Sequence, residues 1–334
     1  MQIEIGAPAS LPLAAIRFEK GAAGLLGVTL QHPPLNLSAR AGEGLSVEGA
    51  RGERAGAFAR QFLRHHKLPQ QGEIEIELAT PSHMGLGSDA NLALGVAEAL
   101  AWVHDRPRTD TAALAAAAGL GPEWGLETHG YAAGGWLLVE APWAGEAAPK
   151  VLRRQALAHP EETAWVFVLY LPRVPAGAPD TLEADRRAAL LSAIPQLSDE
   201  TGRLVEAALW PALAQDDLEG FGRALQEIQR LNAEALRAAG AAAALSEDEQ
   251  ALLVLCAANG AAAWGRSPGG LGLFALIRGR TASVRLRQAL VGRVGYHGGT
   301  VMAAITDNEG ARHVVHGAAP IYTGVSPLVK GKRT

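Results

Sequence analysis

The clearest pattern in the first half of the chain is a change from period-two to helical spacing. Residues 73–78 alternate charged and apolar positions, which predicts a strand with one buried face. Apolar positions then recur at helical spacing, which predicts a helix over 89–104. Residues 81–91, with the sequence PSHMGLGSDAN, connect the two. The order strand, glycine-rich loop, helix therefore organises this half.

The rest of the first half is mostly predicted to be strands. Pro8 and Pro12 argue against a central strand at 6–13, because proline cannot donate to a ladder. We expect Pro33 to end a strand at 24–30, and residues 35–39 and 45–48 could pair as a hairpin. The remaining predictions are helices at 55–66 and 109–119 and a strand at 136–140.

The second half begins with an apolar run at 164–172, which predicts a strand buried on both faces. The spacing of apolar residues after this strand predicts helices at 181–191, 199–209, 216–238, 246–258 and 281–291, and strands at 269–277 and 299–305. This order favours a sheet backed by helices, of ferredoxin-like type. We therefore expect two domains, 1–160 and 161–334.

Composition narrows the class of protein. The chain has 334 residues, of which 48% are hydrophobic and 19% charged, with a net charge of −4, as in ordinary soluble globular proteins. Nothing in this balance points to a nucleic-acid partner, and no apolar stretch is long enough to span a membrane. The single cysteine, Cys256, excludes an internal disulfide. We expect a cytoplasmic protein.

The glycine-rich loop has the chemistry of an anion site. Backbone N–H groups and the positive end of a helix dipole suit phosphate. Gly85 and Gly87 allow the backbone to approach a ligand closely, and the Ser88 hydroxyl can contact phosphate or a phosphate-bound metal. His83 could contact phosphate or act as a cap. Alternatively, the loop is only a tight connection, with Ser88 or Asp89 capping the helix.

The whole run resembles the phosphate-binding motif of the GHMP superfamily, Pro-x3-Gly-Leu-Gly-Ser-Ser-Ala; the matching residues are Pro81, Gly85, Leu86, Gly87, Ser88 and Ala90. Residues 6–8 and 261–272 are similar to the superfamily's first and third motifs. The resemblance implies an α+β, two-domain GHMP-kinase-like fold. Its N-terminal domain would be a ribosomal-protein-like βαβ domain, and its C-terminal domain a ferredoxin-like α/β sandwich.

One branch, the β-ribofuranosylaminobenzene 5′-phosphate synthase family of pterin biosynthesis, is similar over nearly the full length. The similar segments are 24–33, 134–136, 264–268 and 308–311. This resemblance implies transfer of a phosphoribosyl group from phosphoribosyl pyrophosphate to a 4-substituted benzoate, with loss of pyrophosphate and CO2. It also implies Mg²⁺ and a homodimer.

The resemblance assigns candidate roles to residues outside the loop. Arg266 and Ser267 could reach phosphate from the third motif, and Trp264, with Trp124 or Tyr131, could line a slot for the aromatic ring. Pro8 and Ser10 of the first motif are candidate substrate contacts.

Departures from the family pattern keep three functions open. Ser10 and Pro12 stand where the synthases tend to have Arg and His, and Asp89 stands where Ser or Gly is usual. A carboxylate beside a phosphate repels it unless a cation intervenes, so Asp89 either holds a metal with Ser88 or marks a loop that no longer binds polyphosphate. The alternatives are an ATP-dependent small-alcohol kinase, with Glu127 and His129 as catalytic candidates, and an inactive binding protein.

Overall fold

The computed structural model describes residues 2–106, 110–141, 149–175, 178–179, 181–241, 244–295 and 298–317. The strands are β1 (Gln2–Arg17), β2 (Ala23–Arg40), β3 (Leu45–Gly49), β4 (Gly72–Leu78), β5 (Trp136–Glu140), β6 (Val151–Gln155), β7 (Trp165–Pro172), β8 (Ala263–Arg266), β9 (Leu273–Arg278), β10 (Gly299–Ile305) and β11 (Arg312–His316). The helices are α1 (Gly52–His65), α2 (Ser88–Val103), α3 (Thr111–Ala117), α4 (Gly125–Ala133), α5 (Leu182–Ala193), α6 (Glu200–Leu204), α7 (Trp210–Ala214), α8 (Leu218–Ala238), α9 (Glu247–Ala258) and α10 (Arg280–Val294).

The first sheet is built on two long antiparallel strands, β1 and β2. Its order is β11-β1-β2-β4-β3, and β5 pairs with the first part of β2 and with β6. Strands β3 and β4 are parallel, so α1 between them makes a βαβ crossover. The α1 side chains Phe58, Phe62 and Leu63 are buried against this sheet and α2. The crossover therefore sets where β4 ends, and with it the position of the glycine-rich loop that leads into α2.

The prolines of the first motif lie within strands, contrary to the expectation from sequence. Strand β1 passes through Pro8 and Pro12, and β2 passes through Pro33. The β1–β2 register shifts between Ala7 and Ala9, where residues 31–34 of β2 have no partner in β1, and again after Pro12. Among the described strands, β11 pairs only with residues 2–6 of β1, so Pro8 and Pro12 lie where β1 pairs with β2 alone and a missing N–H donor is tolerated.

The proposed hairpin of 35–39 with 45–48 is also wrong. Strand β3 pairs in parallel with β4, and residues 36–40 of β2 pair with β4 and β1. The reason is α1, whose apolar face is buried only if the chain crosses over the sheet before β4 forms. Local turn signals at 41–44 could not reveal this.

The second sheet has the antiparallel order β10-β7-β9-β8, with helices α9 and α10 packed on one face. The two sheets share a core in which Trp136 of β5 contacts Trp165 and Phe167 of β7, at ring-centroid distances of 5.9 and 5.7 Å. The fold is thus α+β with two sheets, as the resemblance implied. Within the described part of the chain, none of the helices is both long and apolar enough to cross a membrane.

Candidate phosphate-binding site

The glycine-rich loop forms a tight path from β4 into α2. Gly85 and Gly87 have φ values of 71° and 69°, a conformation that favours glycine. A Cβ atom at Gly87 would lie 2.7 Å from Cγ of Glu127. One at Gly85 would lie 2.5 Å from the Gly270 backbone nitrogen. Both glycines are therefore required by close approach as well as by backbone conformation.

The third glycine-rich segment supports the loop from behind. The backbone N–H groups of Leu271 and Gly272 donate to the carbonyls of His83 and Met84, at 2.8 and 3.1 Å. The buried Ser267 hydroxyl donates to the Gly85 carbonyl at 2.8 Å. Of the third-motif candidates, the structure thus brings Ser267 to the loop, where it fixes the backbone.

A carboxylate occupies the concave side of the loop. The Gly85 N–H donates to Oε1 of Glu183 at 3.0 Å, and the Ser88 hydroxyl donates to Oε2 at 2.9 Å. Burial raises the pKa of this carboxyl, and the two hydrogen bonds oppose that effect. Two donors that converge on one oxyanion are the arrangement that a phosphate group requires, with Glu183 in its place.

Glu183 belongs to α5, which covers the site with three charged side chains. Arg186 donates to the carbonyl of Gly270 at 2.7 Å, and Arg187 pairs with Glu127 of α4. The sequence pattern predicts a helix at 181–191 but does not indicate that it contributes to the site. The spacings of three and four place Glu183, Arg186 and Arg187 on one face of the helix, a pattern that ordinarily indicates a solvated face.

Glu127 lies directly behind Gly87 and is inaccessible to solvent. Its pair with Arg187 is almost completely buried, and the Arg187 guanidinium also lies 4.5 Å from the ring centroid of Trp124. Burial raises the pKa of the Glu127 carboxyl, which Arg187 opposes. Its Oε2 has no hydrogen-bond partner among the described residues. One catalytic candidate is thus beside the loop, held by an arginine from α5.

The first-motif residues brace the loop through the backbone. The Ser10 N–H donates to the Leu86 carbonyl at 3.0 Å, and its buried hydroxyl has no partner among the described residues. The Pro8 carbonyl accepts a 2.7 Å hydrogen bond from the side chain of the buried Asn91. Both residues therefore lie under the loop.

Three other candidates have different partners. Nε2 of His129 lies 2.6 Å from the Pro149 carbonyl. Arg266 on β8 pairs with Glu249 of α9, with 2.5 Å between Nη2 and Oε2. Trp264 packs with the apolar cluster of the second sheet. Of the other aromatic candidates, Trp124 lies under Arg187, and the Tyr131 hydroxyl donates to Glu98 at 2.6 Å.

Two arginines at the start of α1 form ion pairs with the Asp89 carboxylate. Its Oδ1 lies 2.5 Å from Arg51, and its Oδ2 contacts Arg54. Beyond these arginines, His83 of the loop lines a recess with Arg60 and Ser82. The described residues contain no cluster of three or more acidic, histidine or cysteine side chains suited to hold a metal. A Mg²⁺ ion here would therefore depend on ligand phosphate oxygens for most of its coordination.

No protein-family model matches the chain. A curated relative, β-ribofuranosylphenol 5′-phosphate synthase of Methanothermobacter thermautotrophicus, is 23% identical over 254 residues, which cover 69% of this chain and 76% of the relative.

Solved structures with the same fold include mevalonate kinase of L. major, with a TM-score of 0.63 and 15% identity over 91% of this chain and 96% of that one. They also include mevalonate diphosphate decarboxylase of Staphylococcus aureus, with a TM-score of 0.62 and 15% identity over 94% and 98%. A putative homoserine kinase of Listeria monocytogenes has a TM-score of 0.61 and 14% identity over 94% and 99%. Fold, loop and curated relative together confirm the resemblance of this chain to the GHMP superfamily and, more distantly, to its β-ribofuranosyl 5′-phosphate synthases.

Proposed function

We propose that this protein is a phosphoribosyl-transferring synthase. It would condense phosphoribosyl pyrophosphate with a 4-substituted benzoate, releasing pyrophosphate and CO2. The observation that carries the proposal is the convergence of the Gly85 N–H and the Ser88 hydroxyl on one oxyanion position. Similarity to a β-ribofuranosylphenol 5′-phosphate synthase supports the choice of reaction over other uses of a phosphate site.

In the proposed reaction, the bond between C1′ of the ribose and pyrophosphate breaks, and its electron pair leaves with pyrophosphate. The ring carbon that carries the carboxylate forms the new bond to C1′. The bond from that carbon to the carboxylate then breaks, releasing CO2 and restoring the aromatic ring. Charge accumulates on the pyrophosphate oxygens, so donors fixed at that position stabilise the transition state.

The chain's own residues divide this work between them. Gly85 and Ser88 would donate to the departing pyrophosphate. Once pyrophosphate oxygens replace the Glu183 carboxylate at the Gly85 N–H, the Ser88 hydroxyl and that carboxylate would hold Mg²⁺, which would supply positive charge at the leaving group. Asp89 has no part in this set, because two arginines hold it. Glu127, held by Arg187 behind Gly87, would act on the acceptor through the position of the loop, with His129 in a supporting role.

The direct test is release of pyrophosphate from phosphoribosyl pyrophosphate, measured with 4-hydroxybenzoate, with 4-aminobenzoate and without acceptor. We expect release that requires an acceptor and Mg²⁺, with one CO2 per pyrophosphate. Ser88→Ala should lower kcat/KM by about 10²-fold, the usual effect of losing one such donor. Ser192→Ala is the matched control, since Ser192 lies exposed on α5 and donates only to Ala189.

An ATP-dependent kinase is the second candidate, because the mevalonate and homoserine kinase folds cover more than nine-tenths of the chain. Thermal unfolding separates the two functions. The synthase requires that phosphoribosyl pyrophosphate with Mg²⁺ raises Tm and that ATP does not; a kinase gives the reverse. If neither ligand shifts Tm at millimolar concentration, the result favours the third alternative, a catalytically inactive binding protein.

A further inference from the structure

A second basic site adjoins the phosphate loop. Arg51, Arg54 and Arg60 face a recess of about 410 Å³ that is completed by Glu53, Ala57, Ser82 and His83, here called the basic recess. Ser82 and His83 belong to the phosphate loop itself, and Arg51 is close enough to Glu183 to act on its carboxyl group, so the recess adjoins the oxyanion position.

The charges of the basic recess are only partly matched. Three guanidinium groups face the carboxylates of Glu53 and Asp89, which leaves an excess of one positive charge. Arg60 makes no ion pair with any described residue, and its guanidinium folds back over Gly56, 3.3 Å from where a Cβ atom there would stand. This geometry turns Arg60 towards the N-terminal end of α1, where Arg51 and Arg54 lie.

Polar groups without partners point to a ligand rather than to a solvated surface. His83 is only 9% exposed, and its Nδ1 has no hydrogen-bond partner among the described residues. Nη1 of Arg51 is also buried without a partner in that part of the chain. Buried donors and acceptors are normally paired, so these two atoms indicate a group that completes the recess.

The recess has the chemistry of a phosphomonoester site and not that of a nucleobase site. Of the described residues that line it, only Ala57 is apolar, whereas an adenine ring requires apolar or aromatic walls. Guanidinium groups match the oxygens of a phosphate dianion and bind it through several charge-assisted hydrogen bonds. Ser82 adds a hydroxyl at the same wall.

We propose that the basic recess binds the phosphomonoester of a sugar ligand whose pyrophosphate lies in the phosphate loop. The inference rests on the proposed function and deepens it, since it assigns the two ends of phosphoribosyl pyrophosphate to two sites. The ligand is thus defined by two separated phosphate groups, and the basic recess recognises the end that does not react.

The test is equilibrium binding, by calorimetry, of three probes: ribose 5-phosphate, inorganic phosphate and pyrophosphate with Mg²⁺. Arg60→Ala should weaken ribose 5-phosphate about tenfold, the effect of one hydrogen bond to a charged group. It should leave pyrophosphate unchanged. Arg64→Ala is the matched control, because Arg64 lies one turn further along α1, is exposed and bonds only to Gln61 among the described residues. It should leave all three probes unchanged.

Ser88→Ala completes the experiment, since it should weaken pyrophosphate and spare ribose 5-phosphate. The basic recess is refuted if Arg60→Ala and Arg64→Ala bind ribose 5-phosphate equally, or if wild type does not bind it at millimolar concentration. Binding of inorganic phosphate as tight as that of ribose 5-phosphate, and equally sensitive to Arg60→Ala, supports the phosphate contact. Two different results would refute the proposed function: pyrophosphate binding that Ser88→Ala does not weaken, or the absence of the reaction with benzoates.

Discussion

The two flanks of the phosphate loop carry ion pairs of opposite character. On the α5 flank, the side chains of Arg187 and Glu127 are 4% and 0% exposed. On the α1 flank, those of Arg51 and Arg54 are 21% and 46% exposed around Asp89. A buried pair cannot lose one partner without leaving a charge in the core. The more accessible Arg51 and Arg54 can exchange the Asp89 carboxylate for a ligand anion. The α5 flank therefore fixes the loop, and the α1 flank is suited to recognition.

The largest expected effect is that of breaking the buried pair. Glu127→Gln leaves the Arg187 guanidinium buried without a counter-charge, so we expect the free energy of unfolding to fall by about 3–5 kcal/mol. Urea titration followed by circular dichroism measures this. The double variant Glu127→Gln/Arg187→Met should recover most of the loss. A loss below about 1 kcal/mol would show that water reaches this pair, and the contrast between the flanks would disappear.

A somewhat smaller effect is expected where the two glycine-rich segments touch. Gly85→Ala forces a side chain into a left-handed conformation and against the Gly270 backbone, at a cost of about 2–3 kcal/mol. Gly292→Ala is the control, because a Cβ atom at this position of α10 meets no atom within 4 Å. It should stabilise by about 0.5–1 kcal/mol, as glycine is unfavourable inside a helix. Equal effects of the two changes would contradict the close approach.

A third test uses the pH dependence of stability at the α5 flank. Burial raises the pKa of Glu183 above its ordinary value of 4.5. The contribution of this group to stability is therefore full below that value and falls as pH rises through the raised pKa. Glu183→Gln removes the penalty, so the variant should gain stability relative to wild type as pH rises through the raised pKa of Glu183. A pH-independent difference would show that Glu183 titrates normally.

The smallest effect on stability is expected at the α1 flank. Asp89→Asn should lower the free energy of unfolding by less than Glu127→Gln does, because the Asp89, Arg51 and Arg54 side chains are 14%, 21% and 46% exposed and solvent partly screens their pairs. It should tighten ribose 5-phosphate binding about threefold, since the basic recess loses an opposing charge. Weaker binding of the sugar phosphate would indicate that Asp89 orients the arginines, and the division of roles between the flanks would have to be reversed.

The strand–loop–helix core of the site could be predicted from sequence because its signals are local. Alternation over 73–78, positive-φ glycines at 85 and 87 and helical spacing after residue 88 each depend on neighbouring residues. The predicted strand and helix are confirmed as β4 and α2. The expectation that Pro8, Pro12 and Pro33 interrupt strands was wrong. Whether a strand accepts proline depends on how distant strands pair with it, which local sequence does not show.

The partners of the site residues could not be predicted, since they are set by tertiary packing. Glu183 lies 95 residues from Ser88, and Arg187 lies 60 from Glu127. No periodic pattern connects such positions. Charged residues on a helix ordinarily indicate a solvated face, so α5 gave no sign that it covers the loop. Likewise, Arg51 and Arg54 explain why Asp89 is tolerated beside an anion site, but only the α1 crossover brings them together.

The pairing of β11 with β1 has a consequence for how the chain is made. Residues 312–316 complete the first sheet beside residues 2–6, so β1 receives this neighbour only after all the strands between them have been synthesised. Until then β1 presents an unpaired row of backbone groups, the kind of edge that recruits strands from other chains. Because long-range pairing is slow, closing this edge should be a late step in folding.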